Sequence, residues 1–225
     1  MAVIIFGDSI TNRATDLTGG GWTSRLWAHI YNNFHTEHAP GVISSDHSVH
    51  ELGIGGDTIV GIARRFESEL ATRVDICEEG NYNNVVVGLA VGINDSRIVD
   101  ETWECVVPFD IFSKTYEHVV ERFKQLGSPF FLVGLNPVDE SKMMPAPWTD
   151  PATSYINKYV SQYNDEIRRI ALHNDIRFVD VHERFTSEIS AHGYDSVLAD
   201  GLHPNDHGHQ LIADLVFESI HDLLG

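Results

Sequence analysis

Four short polar clusters hold residue types that acyl chemistry uses. Gly7-Asp8-Ser9-Ile10 places a serine directly behind a short apolar run, where glycine lets the chain turn sharply. A hydroxyl is a weak nucleophile until a base takes its proton, and Ser9 alone reads as a residue that caps a turn. Asp200-Gly201-Leu202-His203-Pro204 supplies a base. Three residues in a bent loop bring a carboxylate against Nδ1 of an imidazole and leave Nε2 for a hydroxyl. Pro204 biases His203 toward extended backbone and holds it out of the helix that follows.

Two further clusters offer donors for a negatively charged oxygen. Gly53-Ile54-Gly55-Gly56-Asp57-Thr58 lacks the lysine and the spacing of a phosphate-binding loop, so nucleotide binding is a poor reading. Its bare amides suit an oxyanion instead, with Gly56 the expected donor and Gly55 one register step away. Gly92-Ile93-Asn94-Asp95 presents a side-chain amide, a donor that carries no charge. Asp95 reads as a local cap. His35 with His38, and His47 with His50, have close spacing but no matching carboxylate or thiolate set, so no metal site is expected. His207 and His209 are expected on the exposed start of the last helix, and Arg64-Arg65 on a solvated helix face.

The elements that position these clusters alternate strictly between strand and helix, which predicts an α/β fold with a parallel sheet in a single domain over residues 1–225. Strands are expected at 3–6, 47–52, 85–89, 130–135 and 177–181. Apolar residues at helical spacing follow from Trp22 to Phe34 and from Ile59 to Leu70, where Asp57 or Thr58 can cap. Helices are also expected from Phe109 to Leu126 with a stop at Gly127, from Tyr155 to Ile170, and through Leu211 to Ile220 behind a cap at Asn205. Ser9, Gly56, Asn94 and the Asp200–His203 pair then all fall beyond strand ends, at the edge where open parallel sheets bind ligands.

Two long stretches, 94–108 and 136–154, resist assignment, and long loops in compact domains are usually functional. In the second, Met143, Met144 and Trp148 either wall an apolar acyl or leaving-group pocket or pack the loop down; Trp103 in the first has the same two uses.

Composition narrows the partners. The net charge of -18, from 33 acidic and 15 basic residues, repels nucleic acid and anionic surfaces, leaving a small-molecule ligand as the expected partner. No apolar run reaches the roughly 18 residues of a membrane helix, and Met1 is followed by no secretory pattern, so a cytoplasmic location is expected. Cys77 and Cys105 form no paired motif and read as free buried thiols.

Taken together and in this order, the four clusters resemble the blocks of the SGNH (GDSL-type) hydrolases. Ser9 matches the serine of the first block, Gly56 the glycine of the second, Asn94 the asparagine of the third, and Asp200 with His203 the last. Ile10 stands where the GDSL pattern has leucine, and Glu51 where many members carry asparagine before the second-block glycine, which leaves open what pins that turn. The resemblance implies a flavodoxin-like three-layer α/β/α sandwich with a five-stranded parallel sheet and cofactor-free serine esterase chemistry. Ser9 would be the nucleophile, His203 the base and Asp200 its orienter, with Ser9, Gly56 and Asn94 forming the oxyanion hole. Short acyl groups on a small alcohol or carbohydrate are the expected substrates. The alternatives are longer-chain thioesterase or lysophospholipase activity, or a catalytically weak acyl- or carbohydrate-binding domain.

Overall fold

The computed structural model describes residues 1–16, 19–34, 48–77 and 80–224. His35, His38 and His47 lie outside them. Five strands form the central sheet: β1 (Ala2–Gly7), β2 (Ser48–Gly53), β3 (Val85–Ala90), β6 (Phe130–Val133) and β8 (Arg177–Val179). All pair in parallel, in the order β2-β1-β3-β6-β8. Every residue of β1 is buried, as a central parallel strand covered on both faces must be. Ala2, Ile4 and Phe6 point into one apolar layer, and Val3 and Ile5 into the other.

The first layer is filled by α2 (Ile59–Cys77), α3 (Phe109–Leu126) and α5 (Asn157–His173), and the second by α1 (Gly21–Phe34), α6 (Val181–His192) and α7 (Asp206–Ile220). Helix α3 has the expected bounds, because Phe112, Tyr116, Val119, Val120 and Phe123 make one buried stripe. Gly127 stops it in the left-handed region at φ 81°. Helix α6 is an addition to the predicted elements: β8 ends at Val179, and the Asp180 side chain accepts from the Glu183 amide at 3.1 Å to start a new helix.

The two unassigned stretches prove to be paired with each other. Strand β4 (Ile98–Val99) joins β5 (Glu104–Cys105) and β7 (Thr153–Ser154) in a small antiparallel sheet, and α4 (Glu140–Met143) lies between. Tyr155 and Ile156 therefore precede α5, with Ile156 in extended backbone at its N-cap position, rather than forming the first turn of that helix. Among the described residues no helix is long and apolar enough to cross a membrane.

Candidate active site

The order of the sheet reverses direction between β1 and β3, and ligands of open α/β sheets bind beyond the carboxyl ends at such a point. Ser9 sits on the turn that leaves β1, fixed by Asn12 N–H donating to Asp8 O at 2.9 Å and Ala14 N–H to Ser9 O at 3.0 Å. Gly7 is required there, since a Cβ would lie 2.1 Å from Thr11 Oγ1. Ser9 Oγ is 2.9 Å from His203 Nε2, and His203 Nδ1 is 2.7 Å from Asp200 Oδ2. The chain of three side chains closes over 194 residues of sequence.

Asp200 holds its loop as well as its histidine. Its Oδ1 accepts from the Leu202 and His203 amides at 2.9 and 2.8 Å. Burial alone would raise this carboxyl, but the bonds from the His203 side chain and the two amides outweigh it and bring it down to about 2. A carboxylate ionised at neutral pH on Nδ1 leaves the lone pair of His203 on Nε2, facing the serine.

The turn of the second cluster closes through Asp57 N–H donating to Ile54 O at 3.0 Å, with Gly56 at φ 80°. Among the described residues, the amides of Ser9, Gly55 and Gly56 donate to no protein acceptor. Asn94 Nδ2 donates to Asp57 O at 3.0 Å, and its Oδ1 accepts from the Tyr155 hydroxyl at 2.9 Å. Glu51 is turned away from this turn, paired with Arg13 at 2.9 Å. What pins the turn is Arg65, a correction to its reading as a solvated residue. Its guanidinium donates to Leu52 O at 2.8 Å and pairs with Asp57 at 2.9 Å, and it lies over the Phe6 ring. Only Arg64 of the pair is exposed.

Of the residues read as pocket walls, Met143 has no exposed surface and packs the loop, so it cannot touch a ligand without rearrangement. Met144 and Trp148 are nearly half exposed, and Trp148 lies tilted against His203 with ring centroids 5.7 Å apart. His209 is corrected to a buried residue, its Nε2 3.2 Å from Ala14 O under the serine turn; His207 is exposed. Cys105 is a free thiol, only half-buried, and the Cys77 side chain lies outside the described residues. Among the described residues no three His, Cys, Asp or Glu side chains are grouped to hold a metal ion.

Beneath the site lie two buried carboxyls. Asp8 accepts from the Ile10 amide at 2.9 Å, and Asp95 caps α2 by accepting from the Ile59 amide at 3.0 Å. Burial pushes Asp8 up to about 7 and, together with the charges of Asp8 and Asp57, pushes Asp95 up to about 8. For Asp95 the unfolded chain releases its proton near 3.8 while the folded chain keeps it to about 8. Stability from this group is therefore full below the lower value and is lost as pH rises through the window, by at most about 1.4 kcal/mol per pH unit. Asp95→Asn keeps an acceptor for the Ile59 amide and removes the titration. Its thermal midpoint is expected to exceed that of the unaltered protein by several degrees near pH 9 and to converge with it near pH 4. Parallel profiles for the two proteins would contradict this assignment.

The five-stranded parallel sheet with helices on both faces makes this an α/β fold, and the serine, histidine and aspartate meet beyond its strand ends. The sequence matches the GDSL-like Lipase/Acylhydrolase family over residues 5–211, and the chain belongs to that family of ester-hydrolysing enzymes. No curated protein sequence is similar enough to count as a relative. Solved structures share the fold at low identity. Axe2, an acetylxylan esterase from Geobacillus stearothermophilus, is 18% identical with a TM-score of 0.73, covering 97% of this chain and 93% of its own. The acetyl xylan esterase AlAXEase is 21% identical with a TM-score of 0.71, covering 98% and 100%. LAE5, an alpha/beta hydrolase enzyme from the metagenome of Lake Arreo, Spain, is 20% identical with a TM-score of 0.69, covering 99% and 95%. Axe2 has also been solved as catalytic mutants of a serine, an aspartate and a histidine, the aspartate three positions before the histidine.

Proposed function

We propose that this chain is a serine esterase that removes short, acetyl-like acyl groups from a small alcohol or a carbohydrate. The observation that carries the mechanism is the unbroken line from Ser9 Oγ through His203 to Asp200, at 2.9 and 2.7 Å. Ser9 Oγ attacks the ester carbonyl as His203 Nε2 takes its proton. The oxygen that becomes negative is met by the Ser9 and Gly56 amides and by Asn94 Nδ2. His203 then protonates the departing alkoxide, leaving an acyl group on Ser9. Water, deprotonated by the same nitrogen, releases the acid and restores the hydroxyl.

Two features support a short acyl group. Trp148 stands against His203, with ring centroids 5.7 Å apart, a bulky neighbour of the base that serves the serine. Two of the three solved structures named above are acetylxylan esterases, and the catalytic mutants of Axe2 are of a serine, an aspartate and a histidine, with the aspartate three positions before the histidine as Asp200 stands before His203. The substrate reading is tested by kcat/KM across nitrophenyl esters from acetyl to dodecanoyl. The acetyl ester is expected to be the best, with a loss of about tenfold by butyryl as methylenes find no pocket. An optimum at long chains would favour the thioesterase or lysophospholipase alternative, and no turnover of any ester a binding domain.

A further inference from the structure

We propose that Tyr155 is a positioning residue for the oxyanion hole: its hydroxyl, donating to Asn94 Oδ1, holds the amide so that one Nδ2 hydrogen stays on Asp57 O and the other faces the substrate. This inference rests on the reading of Asn94 as an oxyanion donor.

An asparagine side chain has one acceptor and two N–H donors, and a half-turn exchanges them. In the observed orientation all but one of these groups are engaged: Oδ1 with the Tyr155 hydroxyl at 2.9 Å, and one Nδ2 hydrogen with Asp57 O at 3.0 Å. The reversed amide would set Oδ1 against the Asp57 carbonyl, two acceptors facing each other. Tyr155 reinforces the choice for as long as it is a donor. It is 1% exposed. Burial pushes its phenol up to about 12, against the opposing pull of the Arg97 charge, so the hydroxyl keeps its proton across neutral pH.

The fold goes to some length to bring these two residues together. Tyr155 directly follows β7, and β7 is paired with β4, four residues beyond Asn94, through Ile98 with Ser154 and Val99 with Thr153. The Tyr155 amide donates to Met143 O at 3.1 Å, and the Arg97 guanidinium carbon lies 5.9 Å from the ring centroid. Both long loops thus converge on one phenol, and the small sheet that joins them has a site to serve.

Tyr155→Phe deletes the hydroxyl alone. It is expected to lower kcat by about tenfold with KM within about twofold, less than the roughly 100- to 1,000-fold expected of Asn94→Ala, since a loosened donor still acts part of the time. In the Asn94→Ala background the same change is expected to have no further effect on kcat, each variant being assayed well below its thermal midpoint. A merely structural tyrosine would give equal losses in both backgrounds or none in either, and each of those outcomes overturns the proposal. So does an unaltered kcat in Asn94→Ala when Ser9 still takes a fluorophosphonate label. Absence of that label from Ser9 in the unaltered protein would instead remove the underlying reading.

Discussion

Replacing Ser9 with alanine is expected to reduce turnover of nitrophenyl acetate by about a million-fold, the loss seen when a triad serine is removed and only binding and oxyanion donors remain. The structure confines the damage to chemistry. The turn that carries Ser9 is held by backbone bonds from Asn12 and Ala14, and among the described residues the only side-chain bond lost is the one to His203 Nε2. The thermal midpoint should therefore move little while the rate collapses. Two measurements check it: steady-state hydrolysis, and labelling with a fluorophosphonate followed by peptide mapping. Full activity in the variant, or a label on another residue, would end the mechanism proposed for Ser9.

That Ser9 stands out at all depends on its setting. A lone serine behind a strand is a turn residue, and it gains meaning because other strand ends deliver Gly56, Asn94 and His203 to the same edge. Those clusters are legible because each is a short run of special residues at the end of an apolar element, and strand and helix periods are the strongest local signals in a sequence. Helix α3 shows the favourable case, with five buried apolar residues on one stripe and a glycine stop. Helix α6 shows the opposite. It buries only Val181 and Phe185, too few to mark a period against its polar residues.

Residues whose role comes from tertiary contact leave little local signal. Tyr155 extends an apolar helical stripe, and nothing local says that the helix starts at Asn157 and frees the ring to reach Asn94. Pairing between strands of two residues cannot be seen in sequence, so the convergence of the two long loops stays hidden as well. Arg65 and His209 depart from expectation for a different reason: their polar character suggests exposure while their spacing places them on buried faces. His209 falls on the same face as Ile212, Ala213, Val216 and Ile220, all buried, and its position in that stripe is a signal for burial. Arg65 follows the buried Ile62 by three residues, and its planar fork reaches one carbonyl at the end of β1 and one at the end of β2.

The second large effect is expected of Asp200→Asn, about ten-thousand-fold in kcat, and it comes from a tautomer. In the native site Oδ2 accepts from His203 Nδ1 at 2.7 Å, while Oδ1 carries the Leu202 and His203 amides. Asparagine can keep Oδ1 on the two amides, so the loop and the thermal midpoint should be largely preserved. Its NH2 then faces Nδ1, which must become the acceptor, and the imidazole proton moves to Nε2. There it points at Ser9 Oγ, 2.9 Å away, as a donor where catalysis needs a base. A base made unavailable in this way should respond to pH. Hydroxide can take the Ser9 proton directly, so residual activity of the variant is expected to keep rising in alkaline solution after that of the unaltered enzyme has levelled off. Asp200→Ala removes the carboxylate and the acceptor of both amides at once, and should add a loss of stability that Asp200→Asn does not show. If Asp200→Asn retained most of its activity, His203 would not depend on Asp200 for its tautomer, and the aspartate would be only a brace for the loop.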